Sequence, residues 1–384
     1  MFYTFGGILT IFCFVYCDEL RKGKNIMSAQ KLRIVFISHS LGNGGAERAS
    51  SIIASELARR GCNILFLAVY NDMVTYELHD DVKYTYLRVN TNNKVRKYLK
   101  RVSGLKKVLD NYQPDWVISF ITQEVLPLHF LGRYRIIYSE RTNPAAKPWY
   151  LRLITFASYS LSYQVVFQTE GARLYFPKHI QKKSKVITNP VMDNLPIWNP
   201  ENHNKVVMTA GRITPEKNHK MLIKAFALFH KEHPDYFLKI YGEPRYKEAK
   251  EELINLVQEL DIGEYVEFPG FSDDIHSIMQ NASVFVLTSN YEGLSNSMLE
   301  AMAIGIPTIC TDCPAYGARE YINDGNNGFL VEMNDYDALA FKMSSLVDNK
   351  DMAKSIHNES IKIRKMIDKK TVINQWMEIL EQND

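Results

Sequence analysis

The chain has 384 residues, more than one hydrophobic core ordinarily serves, so two domains of usual size are expected. With 46% apolar and 23% charged residues it has the composition of a soluble globular protein, and a net charge of +3 gives no argument for a nucleic-acid partner. Five cysteines form no even, regularly spaced framework, which sets aside a disulfide scaffold.

The chain opens on an apolar stretch, "MFYTFGGILTIFCFVYC", followed by the charged "DELRKGK". The apolar run is shorter than the roughly 20 residues of a spanning helix, and its cations follow it, whereas a signal peptide carries them in front. Two readings of residues 1–26 stay open: a short membrane anchor, or untranslated sequence ahead of a start at Met27. From Lys31 the pattern becomes regular. "LRIVFISH" reads as a buried strand, "SLGNGGAE" as a glycine-rich loop, and "ERASSIIASELARRG" as an amphipathic helix ending at Gly61. Strand "CNILFLAVY", a basic helix over 94–110, and strands "DWVISF" and "RIIYSE" follow. Alternating strands and helices imply right-handed crossovers and a parallel sheet.

Pro190, Pro196 and Pro200 mark the stretch 189–204 as a linker, after which the rhythm restarts. "KVVMTAG", "PEKNHKMLIKAFALFHKEH", "YFLKIYG", "KEAKEELINLVQELDI", "YVEFPG", "ASVFVLTS", a helix over 296–304 and "PTIC" make a second doubly wound unit. Cys310 and Cys313 form a C-x-x-C with no second pair or histidines to complete a zinc site, and read as structural residues at a strand end. The expected organisation is a first Rossmann-like domain over 27–188, the linker over 189–204, and a second domain over 205–362. A helix within 363–384 then crosses back to the first domain. Two such domains face each other across a cleft formed by the carboxyl ends of both sheets.

Three loops carry chemistry. In "LGNGGAER", glycines 42, 44 and 45 permit positive φ and close backbone approach, and the helix behind them offers free N–H groups to an anion, with a tight structural turn as the plainer alternative. In "AGRITPEKNHKML", Thr214 and Pro215 read as N-cap and first helical residue, with Arg212 and Lys217 on either side. Two cations beside the positive end of a helix are locally unfavourable, and a diphosphate between them removes the conflict. Solvated surface cations are the plainer alternative. In "SNYEGLSNSMLEAMAIGIP", Ser297 and Glu300 have the spacing of a capping box, while Glu292 and Glu300 together suit the hydroxyls of a nucleotide sugar.

"GGAER", "GRITPEKNHKMLIKAF", "A-VFVLTSNYEGLSNSMLEAMAIGIPTICTDCPAYGARE" and "DGNNGFLV" resemble the retaining glycosyltransferases of family 4, over about residues 31–345. The resemblance implies an α/β GT-B fold of two Rossmann-like domains. It implies that Arg212 and Lys217 hold the diphosphate of a sugar nucleotide, that Glu300 binds the ribose hydroxyls, and that Glu292 contacts the donor sugar near the reacting carbon. Backbone N–H groups of Gly293, Leu294 and Ser295 would cradle sugar and phosphate, with Gly44 and Gly45 contributing from the first domain. Catalysis is expected to rest on Glu292, Arg212 and Lys217, with no metal and no cofactor beyond the donor, a UDP-sugar. The "DYD" of residues 335–337 reads as helix capping rather than as a metal motif.

This sequence also departs from the family. Many relatives carry a histidine after the strand matching "RIIYSE", where this chain has Glu140 and Arg141, so the catalytic base stays unassigned; the loop after "KIYG" lacks a second glycine. "SERTNP" with "GGAER" is similar to bacterial enzymes that extend polyprenyl-diphosphate-linked surface glycans. The function expected is retaining transfer of a hexose or N-acetylhexosamine to a hydroxyl of a lipid-linked saccharide. The alternative is a non-catalytic GT-B-like scaffold that binds sugar nucleotide or partner enzymes. Val95, Tyr98, Leu99, Val102, Leu105 and Leu109 share one face of the basic helix, which suits either an anionic membrane surface or an ordinary core contact. "KPWYLRLITFASYSLSY" is a second aromatic, cationic segment suited to lipid. The expected location is the cytoplasm, at the inner face of the membrane.

Overall fold

A computed structural model describes residues 32–382, apart from 43, 143–146 and 315–316. The reading of residues 1–26 lies outside the described residues. The chain divides into two compact units. The first comprises residues up to Phe167, Arg173–Ile187 and the chain from Ile373; the second comprises Gln168–Ala172 and Thr188–Val372.

The first unit is built on a seven-stranded parallel sheet in the order β3-β2-β1-β4-β5-β6-β7. Its strands are β1 (Arg33–Ser38), β2 (Asn63–Ala68), β3 (Val82–Tyr86), β4 (Trp116–Ser119), β5 (Ile136–Ser139), β6 (Gln164–Phe167) and β7 (Ser184–Val186). The longer helices of this unit are α1 (Gly45–Arg59), α2 (Lys94–Tyr112) and α3 (Trp149–Leu161). Strands β1, β4, β5 and β6 are buried almost throughout, as expected of a parallel sheet covered on both faces.

The second unit has six parallel strands in the order β10-β9-β8-β11-β12-β13. They are β8 (Val206–Ala210), β9 (Phe237–Tyr241), β10 (Val266–Gly270), β11 (Val284–Leu287), β12 (Thr308–Thr311) and β13 (Phe329–Val331). Around them lie α4 (His219–Glu232), α5 (Lys247–Glu259), α6 (Ile275–Met279), α7 (Asn296–Ile304), α8 (Gly317–Tyr321) and α9 (Tyr336–Asp348). Successive strand residues feed opposite cores. Val207, Ile240, Val284, Val286 and Ile309 pack with α4 and α9, whereas Met208, Tyr241, Phe285, Leu287 and Cys310 pack with α7. Each fully buried Leu, Ile or Phe contributes on the order of 1.5–3 kcal/mol, so this alternation fixes the sheet between its two helix layers. Cys310 is thus a core residue.

Two segments differ from expectation. Residues 189–204 are no free linker: Val191, Leu195 and Trp198 are buried in the α7-side core. Trp198 donates from Nε1 to the Ala282 carbonyl at 2.7 Å and from its backbone N–H to Ile304 at 2.9 Å. Large apolar side chains between the prolines outweigh the turn signal. The last helix, α10 (Lys369–Leu380), groups with the first unit from Ile373 onward, later than the expected boundary at 363. There the Leu380 carbonyl accepts from Trp116 Nε1 at 3.0 Å.

Candidate active site

Both sheets reverse their strand order once, between β1 and β4 and between β8 and β11. Ligands of open α/β sheets sit outside the carboxyl ends of the strands at such a point. In the second unit, the loop after β8 carries Arg212 and Lys217, and the loop after β11 carries Glu292. The fold therefore delivers these residues to the switch point from two sides.

The β8 loop is built differently from the sequence expectation. Pro215–Lys217 form one 3-10 turn, and Thr214, at its start, makes no side-chain cap. The cap of α4 is Asn218, in the left-handed region at φ 48°, whose side chain accepts from the Met221 N–H. The hydroxyl of Thr214 is buried without a hydrogen-bond partner. The β11 loop is laced to this turn. Thr288 Oγ1 donates to the carbonyls of Lys217 (3.0 Å) and Asn218 (3.1 Å), Asn290 N–H donates to the Glu216 carbonyl (2.8 Å), and Asn218 Nδ2 donates to Asn290 Oδ1 (2.9 Å). Across this lacing Lys217 Nζ pairs with Glu292 Oε2, which also accepts from Ser289 Oγ at 3.2 Å. Arg212 is exposed beside Gly211.

Helix α7 begins just past Gly293 and Leu294. Its cap is Ser295, whose hydroxyl accepts from Met298 N–H and contacts Ser297 Oγ at 3.1 Å. The capping box expected from Ser297 and Glu300 is not formed, because the helix starts earlier and Glu300 falls in its second turn. Glu300 is buried there, with Oε2 3.1 Å from Nε2 of His276 on α6. The two acids of this loop and helix therefore have different partners, Lys217 and His276. No spacing or motif pointed to His276. Gly317, the first residue of α8, explains the glycine in "AYGARE": a Cβ there would lie 1.8 Å from the Gly293 carbonyl oxygen. Cys310 and Cys313 are buried free thiols. Burial, with the charge of Glu292, pushes Cys313 up to about 11, so it stays a protonated, inert thiol. Asp335 caps α9 by accepting from Ala338 N–H at 2.9 Å, the role read for "DYD".

In the first unit, Gly44 is the N-cap of α1 and Gly45 its first residue. Neither they nor Gly42 take positive φ; Gly44 has extended backbone at φ −169°. What Gly44 permits is close approach, since a Cβ would lie 2.0 Å from Glu47 Oε2. Glu140, at the end of β5, is locked in place. It accepts from Thr142 N–H (3.0 Å), Thr142 Oγ1 (2.7 Å) and Tyr159 OH (2.8 Å), and pairs with Lys147. Burial alone would raise its pKa, but Lys147 and these donors bring it below the usual value. Arg141 donates from Nε to Ser139 Oγ at 2.8 Å, and burial lowers its pKa to about 9.

Residues 193–363 match the family model described as Glycosyl transferases group 1. The chain is 26% identical over 373 residues to N-acetylgalactosamine-N,N'-diacetylbacillosaminyl-diphospho-undecaprenol 4-alpha-N-acetylgalactosaminyltransferase of Campylobacter jejuni, covering 91% of this chain and 99% of that one. It is 25% identical over 362 residues to a second C. jejuni protein, GalNAc-alpha-(1->4)-GalNAc-alpha-(1->3)-diNAcBac-PP-undecaprenol alpha-1,4-N-acetyl-D-galactosaminyltransferase, covering 91% and 98%. Among solved structures, Anabaena HepE in complex with UDP and glucose aligns with a TM-score of 0.76 at 20% identity, over 91% of this chain and 100% of HepE. Sucrose-phosphate synthase of Thermosynechococcus elongatus aligns with a TM-score of 0.76 at 17% identity, over 91% and 98%. The chain has the GT-B fold, and its residues 193–363 match the model of the group 1 glycosyl transferases.

Proposed function

We propose that this protein is a retaining glycosyltransferase that moves a hexose or N-acetylhexosamine from a UDP-sugar to a hydroxyl of a lipid-linked saccharide. The observation that carries the reading is the ion pair of Lys217 with Glu292 at the switch point, with Arg212 exposed on the same loop as Lys217. In this reading the diphosphate lies against Arg212, Lys217 and the N-terminus of α7, where N–H groups of Gly293, Leu294 and Ser295 face it. Glu300 accepts from the ribose hydroxyls and Glu292 from the donor sugar. Cleavage of the glycosidic bond leaves negative charge on the diphosphate. Preorganised positive charge at that point is typically the largest catalytic contribution. The mechanism invokes no metal, since two cations and a helix terminus supply that charge.

The lipid-linked acceptor is supported by the names of the two Campylobacter relatives, and the UDP-linked donor by the ligand named for HepE. Among the described residues no helix is long and apolar enough to cross a membrane. Helix α2 is split: Val102, Leu105 and Leu109 belong to the core, whereas Val95 (68% exposed) and Leu99 (58%) project outward among Lys94, Arg96, Lys97 and Lys100. Trp149, Tyr150 and Leu153 are likewise exposed on α3. Exposed apolar side chains among cations suit an anionic lipid surface, with each basic residue adding about 1 kcal/mol there. This supports peripheral attachment on the cytoplasmic side.

The test is incubation with a panel of UDP- and GDP-sugars and a polyprenyl-diphosphate saccharide. The expected result is transfer, or slow hydrolysis of one UDP-sugar, with retained anomeric configuration. Nucleotide binding without turnover over the whole panel would favour a binding scaffold instead. Sedimentation with anionic vesicles tests attachment, and no binding at low salt would remove it.

A further inference from the structure

We infer that His276 is a positioning residue for donor binding: it sets the orientation of the Glu300 carboxylate toward the vicinal hydroxyls of the nucleotide ribose. The inference rests on the reading of Glu300 as the ribose acid and adds a residue that no motif marks.

The Glu300 side chain is only 4% exposed, and a carboxylate taken out of water needs a partner that favours its charged form. Nε2 of His276 approaches Oε2 at 3.1 Å, and its own side chain is 19% exposed. The ring comes from α6, which packs beside α7, so the contact joins two separate elements of one unit. Nε2 is out of solvent and makes no hydrogen bond here, so its 3.1 Å approach to Oε2 is a close polar contact short of a formed hydrogen bond. Polar contacts of this kind in a site commonly tighten when ligand binds.

The consequence for ligand is geometric. A carboxylate oxygen has two lone pairs, so a donor held against Oε2 fixes the plane of the group and still leaves both oxygens able to accept a hydroxyl. A vicinal diol needs both at once and in one plane. Without the imidazole, the buried carboxylate loses this contact, and its plane is held less well for the two hydroxyl bonds. His276 touches neither the sugar nor the diphosphate in this scheme. Its whole effect passes through Glu300.

The experiment compares UDP with 2′,3′-dideoxy-UDP by calorimetry on the full chain, for wild type, H276L, H276Q and E300Q. Hydrogen bonds to a charged group should give wild type a preference for UDP on the order of tenfold or more. H276L is expected to reduce that preference to about threefold or less while leaving the affinity for the dideoxy nucleotide unchanged. H276Q, which retains an N–H donor, should restore most of it. The unchanged dideoxy affinity separates this role from general loss of structure, which would weaken both nucleotides together. If H276L keeps the full preference while E300Q loses it, the inference about His276 falls and the ribose reading stands. If E300Q also keeps the full preference, the ribose reading falls and takes the inference with it.

Discussion

Lys217 and Glu292 are 75 residues apart in sequence and paired in space, with side chains 18% and 22% exposed. In the proposed site this pairing makes Glu292 a competitor of the diphosphate for the same ammonium group. Binding of the donor must draw Lys217 toward phosphate, which releases Glu292 to face the sugar. The two variants should therefore split. K217A is expected to weaken UDP binding on the order of tenfold to a hundredfold, since a charge-assisted contact is lost. E292Q should leave UDP binding unchanged or tighter, yet lower sugar transfer on the order of a hundredfold or more. Calorimetry with UDP and turnover with the preferred UDP-sugar check both. Equal weakening of UDP binding by the two substitutions would refute the competition.

Glu140 ends the strand where the family resemblance leads one to expect a histidine, but its geometry makes it an anchor. Both its oxygens are engaged, by Lys147, Tyr159 and two donors of Thr142. E140Q would leave the Lys147 ammonium, mostly out of solvent, facing an amide. Breaking a buried pair from one side typically costs about 3–5 kcal/mol. Chemical denaturation should show a loss of that order. A variant of wild-type stability with turnover abolished would instead make Glu140 the missing base.

The sequence carried the strand–helix rhythm of both units because buried parallel strands are short apolar runs and their helices are amphipathic. Arg212, Lys217 and Glu292 were legible as loop residues at strand ends. Helix starts are less legible. Thr214 before Pro215 looks like a cap, but a single 3-10 turn intervenes and Asn218 takes that role through a left-handed backbone. Ser297 has capping-box spacing with Glu300, yet Ser295 competes locally and wins. Trp198 was hidden among prolines, and its burial depends on α7, about a hundred residues further along. His276 could not be found by pattern, because its partner lies on another element and only the fold brings them together.

Acid should destabilise both units through buried histidines. His219, at the start of α4, is held at about 4 by burial and by the nearby charge of Lys217; burial, with Lys183, holds His129 at about 4 as well. Each lies below its ordinary value of 6.5. Between pH 6.5 and 4 the unfolded chain therefore binds protons that the folded chain does not. Stability is full above this window and falls as pH drops through it, by about 3 kcal/mol at most for each histidine. Melting temperatures across the window should decline with acid, and H219Q should flatten the curve. A variant curve as steep as that of wild type would assign the slope to other groups.

Gly317 couples α8 to the donor loop without any side chain. A methyl group there would meet the Gly293 carbonyl oxygen at 1.8 Å, its carbon at 2.9 Å and Leu294 Cα at 3.3 Å, all backbone atoms that cannot rotate away. G317A must therefore displace Gly293 and Leu294, whose N–H groups face the diphosphate in the proposed site. Overpacking of this kind costs about 1–3 kcal/mol. The expected result is a folded protein with a lower melting temperature and UDP binding weakened on the order of tenfold. G263A is the matched control, because a Cβ at Gly263 meets nothing within 4 Å. It should leave UDP affinity unchanged. If G317A binds UDP like wild type, the loop at 293–294 does not hold the diphosphate, and the cradle has to be sought in the side chains of Arg212 and Lys217 alone.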